Sequence, residues 1–153
     1  MASGGGKQQN LCNCTALRKA TRRVSQLYDS ALEPCGLRST QRALLNHIAR
    51  SGTPPLGELA EALVMDRGAL THNLKPLERD GLVVVQVDPD DRRNRLVALT
   101  AAGRAKLAES EPLWKRAQAG FETAFGAAKS ASLRKALDYL VSEDFVVAFG
   151  NHD

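Results

Sequence analysis

At 153 residues the chain can bury a core without disulfide or metal staples, and it has room for one domain with extensions. Its 43% hydrophobic, 25% charged and 5% aromatic residues exclude a disordered polymer, and no apolar run nears the length that spans a bilayer. A net charge of +4 admits polyanionic partners without demanding one.

Residues 1–10 are polar and glycine-rich and read as a flexible tail. They lack the apolar stretch of a secretory leader, so the expected location is the cytoplasm, with no membrane partner. Cys12, Cys14 and Cys35 are odd in number, which argues for thiols rather than a disulfide framework. From Thr15, the positions Leu17, Ala20, Val24, Leu27, Tyr28, Ala31 and Leu32 recur at helical spacing until Pro34 and Gly36 end the segment. A second helix, capped by Ser39 or Thr40, carries Leu44, Leu45 and Ile48 inward and stops at Gly52 and Pro54-Pro55. Residues 56–63 make a third, short helix.

Asp66 is a good cap for the next helix, where Leu70, Leu74 and Leu77 fall at i, i+4 and i+7 and must face a core. The opposite arc then shows Gly68, Thr71, His72, Lys75 and Arg79, and Pro76 is expected to loosen the last turn. Residues 82–87 and 95–99 are β-branched and flank the turn residues Asp88-Pro89-Asp90-Asp91, which predicts a hairpin. Thr100 caps a long helix with Leu107, Leu113, Trp114, Ala117, Phe121 and Phe125 as its apolar positions and a bend expected at Pro112. One last helix is expected over about 130–147.

The pattern predicts a mainly α fold with a small β-hairpin. It is a winged helix-turn-helix over 37–100, framed by an N-terminal dimerisation helix (11–36) and C-terminal dimerisation helices (101–153). The terminal helices carry Trp114, Phe121, Phe125, Leu137, Leu140 and Phe145, more apolar surface than the small winged unit can cover, so a homodimer is expected. The alternative is a monomer that folds its own ends together.

Such a fold suits double-stranded DNA. A helix of this width enters the major groove, and an arginine-tipped loop reaches the narrow, negative minor groove beside it. The candidate contacts are Arg67, Gly68, Thr71, His72, Lys75 and Arg79 on the helix, with Asp91, Arg92, Arg93 and Arg95 on the loop. Acids balance these bases in number, but they fall at caps and turns while the bases fall on the exposed arc and the loop tip. The competing readings are a solvated hairpin beside a surface helix, and a winged protein-interaction module that does not bind DNA. No nucleophile elbow, zincin helix, phosphate loop or dinucleotide fingerprint is present, so neither an enzyme nor a cofactor is expected. His47 reads as structural.

The runs Leu59-Ala60-Glu61-Ala62-Leu63, Asp66-Arg67, Leu77-Glu78-Arg79-Asp80-Gly81-Leu82-Val83, Asp88-Pro89-Asp90-Asp91-Arg92-Arg93 and Leu99-Thr100-Ala101-Ala102-Gly103 resemble the MarR family of transcriptional regulators. The resemblance implies a triangular homodimer on a near-palindromic operator, usually a repressor released by a small ligand or by oxidation. By position, Arg93 resembles the family's minor-groove arginine and Asp91 the acid that orients it. Thr71, His72 and Lys75 fall where its recognition helix meets DNA, although Gly68 and Ala69 replace the more usual hydroxyl residues.

Cys12 and Cys14 fall at the first turn of the first helix, where its dipole and Arg18 and Lys19 favour a thiolate, which makes them candidate redox sensors. Cys14 and Tyr28 resemble the cysteine and one tyrosine of the family's hydroperoxide-sensing branch, while Ser39 stands where that branch tends to have another tyrosine. Other readings stay open: packing residues at a dimer interface, a metal site with His47 or His152, or a small aromatic effector in the cleft between winged unit and dimer helices.

Overall fold

The computed structural model describes residues 12–151, so the tail expected over 1–10 lies outside the described residues. The order is α1 (Asn13–Leu32), a 3-10 turn (Glu33–Cys35), α2 (Ser39–Ser51), α3 (Leu56–Ala62), α4 (Arg67–Arg79), β1 (Val83–Val87), β2 (Arg95–Leu99), α5 (Ala101–Phe125), α6 (Ala127–Leu140) and α7 (Glu143–Gly150).

Local chemistry sets most boundaries. Gly36 adopts the left-handed conformation, φ 75°, that closes the turn after α1. The cap of α2 falls at Arg38, not at the expected Ser39 or Thr40. There the Arg38 N–H donates to Gln41 Oε1 at 2.9 Å, and the Ser39 N–H is taken by Asp29 Oδ1 of α1 at 2.6 Å. Asp66 caps α4 as expected, accepting from the Ala69 N–H at 2.7 Å. Pro76 does not shorten α4: the helix runs to Arg79, and the Asp80 N–H donates to the Pro76 carbonyl at 3.0 Å. Likewise α5 runs unbroken through Pro112.

The single last helix expected over 130–147 is two. Ser142 divides it, its Oγ accepting from the Phe145 N–H at 3.2 Å and donating to the Tyr139 carbonyl at 2.7 Å. Glu143 and Asp144 then occupy the first turn of α7, where the helix dipole favours acids.

The strands β1 and β2 are antiparallel, with Val83 opposite Leu99 and Val87 opposite Arg95. Leu82, expected in the first strand, precedes it, held by an N–H bond to the Leu77 carbonyl at 2.9 Å. A third rung had no sequence signal: Pro55 bridges Leu96, and the Val97 N–H donates to the Pro54 carbonyl at 3.0 Å. The buried core lies between Leu32 and Val97, centred on Leu45, Ile48, Leu59, Leu70, Leu74 and Leu77. The last two helices contribute little to it: α6 buries only Ser130, and α7 buries nothing.

The start of α5 is pressed against the end of the first helix-strand connection. The Thr100 N–H donates to the Leu82 carbonyl at 3.1 Å, and its hydroxyl donates to the Gly81 carbonyl at 2.6 Å. A side chain at Gly103 would collide with that same Leu82 carbonyl, a backbone atom that cannot move aside. Gly103→Ala is therefore expected to cost about 3 kcal/mol and lower Tm by roughly 6 to 12 °C, while Gly120→Ala, where the space is open inside the same helix, should leave Tm unchanged or raise it by a few degrees.

Candidate nucleic-acid interface

Three leucines fix which way α4 faces. Leu70, Leu74 and Leu77 are buried, and Arg67, Gly68, Thr71, His72, Lys75 and Arg79 are all exposed. The arc read from the sequence is thus brought together on one outward surface. The Thr71 hydroxyl donates to the Arg67 carbonyl at 2.8 Å, leaving its methyl and remaining acceptor capacity outward. Arg79 is drawn sideways to Asp80 at 3.4 Å. The turn between α3 and α4 holds Val64 at φ 53°, a left-handed conformation that a β-branched residue seldom adopts.

The wing loop is shaped by its acids. Asp88 Oδ1 accepts from the Asp90 N–H at 2.9 Å, and Asp91 Oδ1 accepts from the Arg93 N–H at 3.0 Å and from Arg93 Nε at 3.2 Å. The Arg93 N–H, and after it the guanidinium, holds the Asp91 carboxyl below its ordinary value. Arg93 is nonetheless 91% exposed, so the pair orients the arginine without covering it. Arg92 is exposed as well. Arg95 turns back, donating to the Arg92 and Asn94 carbonyls at 3.1 and 3.2 Å, so it splints the loop.

Sequence reasoning missed the joint between this surface and the long helix. Arg42 of α2 is buried, with Nε donating to Ser110 Oγ at 3.1 Å, Nη2 paired with Glu111 at 2.6 Å, and its guanidinium 4.5 Å from the centre of the Trp114 ring. Its signal was an arginine three residues before Leu45, on the buried arc of α2.

Of the candidate sensor residues, Cys12 and Cys14 adjoin at the start of α1, but Tyr28 does not meet them within one chain. Cys14 and Tyr28 lie fourteen residues apart on α1, roughly 21 Å at the helical rise. The Tyr28 hydroxyl donates to Gln118 Oε1 at 2.8 Å, and burial, followed by Glu122, pushes its pKa up. Cys12 and Cys14 are exposed and Cys35 is buried, all three as thiols. The Thr15 hydroxyl, followed by its N–H, holds the Cys12 thiol below its ordinary value. Among the described residues no group of three or more His, Cys, Asp or Glu is arranged to hold a metal, and His152 lies outside them. An apolar groove of about 430 Å³ runs between α1 and α5, lined by Val24, Tyr28 and Phe121 among others, rather than against the winged unit.

A leucine-backed helix beside an acid-braced basic wing defines a winged helix-turn-helix of the transcriptional-regulator class. The family model described as MarR matches residues 36–94. BadR, a transcriptional activatory protein of Rhodopseudomonas palustris, is 40% identical over 77 residues, 48% of this chain and 44% of that one. The organic hydroperoxide resistance transcriptional regulator of Bacillus subtilis is 28% identical over 90 residues, 59% of this chain and 61% of that one. The matches thus span about half the length of these two relatives. The transcriptional regulator MosR of M. tuberculosis, solved in complex with DNA, superposes with a TM-score of 0.78 at 37% identity, over 85% of this chain and 93% of that one. The chain belongs to the MarR family.

A lowered thiol pKa means thiolate over a wider pH range. In a Cys14→Ser background, alkylation of Cys12 should rise at lower pH than for an ordinary thiol, and Thr15→Ala should move that profile upward. Superimposable profiles would refute the Thr15 effect.

Proposed function

We propose that the chain is a sequence-specific double-stranded DNA-binding transcription regulator that works as a homodimer on a near-palindromic operator. The carrying observation is the outward arc Thr71, His72 and Lys75 beside a wing tip whose Arg93 is both oriented and exposed. On this reading α4 meets base edges in the major groove, and the wing arginines Arg92 and Arg93 reach the minor groove. Asp91 and Arg95 hold the loop's shape, and Arg79 and Gly68 border the contact. The DNA complex of MosR, the relative with 37% identity, supports DNA as the partner.

Dimerisation is supported by apolar side chains left at the surface of the terminal helices, including Leu27, Phe125, Tyr139, Val146 and Phe149. Two copies related by a twofold axis would present two α4 helices to successive turns of the same duplex face. Repression is the expected direction, relieved by thiol oxidation or by a small apolar effector. Oxidation is favoured by the exposed Cys12 with its lowered pKa and by the likeness to a regulator named for hydroperoxide resistance.

Titration against the chain's own upstream region tests the reading, and binding should weaken steeply as salt rises, because phosphate contacts release counterions. Arg93→Ala should weaken binding by roughly 1 to 3 kcal/mol per wing with the dimer intact by light scattering. An unchanged titration removes the wing from the interface. Peroxide should release DNA from the native protein and not from the Cys12→Ser, Cys14→Ser double variant; equal release from both refutes thiol sensing.

A further inference from the structure

Gly57, the second residue of α3, is left unused by the reading above. A Cβ there would lie 2.6 Å from Arg67 Nη2, 3.3 Å from Cζ and 3.4 Å from Nε. The Arg67 guanidinium therefore lies across the bare Cα of Gly57, drawn back from the start of α4 onto α3. Arg67 is exposed, and among the described residues its guanidinium makes no hydrogen bond or ion pair. Arg79, Arg93 and Arg95 differ: they engage Asp80, Asp91 and the loop carbonyls. Arg67 thus rests against Gly57 with its donors unspent.

We infer that Gly57 is a positioning residue, a slot that seats Arg67 as a grip on a DNA phosphate rather than as a reader of bases. The inference rests on the DNA-binding reading. In a helix-turn-helix the first helix crosses the sugar-phosphate backbone, while the N-terminal residues of the second meet base edges. A guanidinium laid back over the first helix faces that backbone, and its planar fork matches two phosphate oxygens. No existing ion pair has to break first, and the space that the missing Cβ leaves lets the guanidinium take this position.

The test is a double-variant cycle, read by fluorescence anisotropy on the upstream duplex and on a scrambled duplex over a range of salt concentrations. Arg67→Ala should weaken both duplexes by the same factor, about tenfold per protomer, and lower the log-log salt slope by about 0.9 per protomer. Gly57→Ala should weaken binding in the native background and do nothing further once Arg67 is alanine. If Gly57→Ala also lowers Tm, Arg67→Ala should restore it, because the collision is with that side chain.

An Arg67→Ala variant with an unchanged slope, or with altered preference at one base pair only, overturns the phosphate role. A Gly57→Ala effect of equal size with and without Arg67 overturns the slot. If the native protein binds no duplex, the regulator reading and the phosphate role fall together, and the thermal cycle still decides the slot.

Discussion

The burial of Leu70, Leu74 and Leu77 is the constraint on which the rest depends. Each contributes about 2 kcal/mol by leaving water, and at 3.6 residues per turn no rotation of α4 hides all three while also hiding Thr71, His72 and Lys75. Orientation of the polar arc is therefore a by-product of core formation. The same core holds Val83 and Val97, so the hairpin is anchored to the structure that aims the helix, and the wing loop's place beside α4 needs no further device.

The joint with the long helix obeys a different logic. Arg42 is a buried cation whose desolvation is offset only while Ser110, Glu111 and Trp114 of α5 all stay in place. An apolar contact tolerates sliding, but a guanidinium with two directed partners and a ring face does not. The fit of Gly103 against the Leu82 carbonyl fixes the same helix at its start. A shift of α5 would therefore disturb α2 through Arg42 and the winged unit through Leu82.

Much of this was legible in the sequence, and the gaps have physical causes. Element types and the Asp66 and Thr100 caps follow from periodicity and side-chain chemistry close in sequence. The cap of α2 was misplaced because Asp29, ten residues away, takes the Ser39 amide. The last helix was read as one because Leu133, Leu137, Leu140, Val141 and Phe145 keep a helical stripe across Ser142, and the apolar signal outweighed the cap. The Pro54 and Pro55 rung and the Arg42 joint join residues far apart in sequence, and the Gly57 slot joins two separate helices, none of which periodicity can reveal. In the candidate interface the exposed arc was legible, whereas Arg95 turning back on its own loop was not, since composition does not distinguish a donor spent on backbone carbonyls from one left over.

The hairpin's two edges are unequal. Pro54 and Pro55 cover the far side of β2, whereas β1 has no second strand neighbour among the described residues and exposes Val84 and Val87. Residues 82–87, Leu-Val-Val-Val-Gln-Val, carry no charge and no proline, the make-up of a segment that stacks on copies of itself. Asp80, Asp88, Asp90 and Asp91 flank it on both ends and act as gatekeepers against that fate. The acids that shape the wing thus also place charge beside an aggregation-prone strand, and substitutions that replace them with neutral residues would remove that protection.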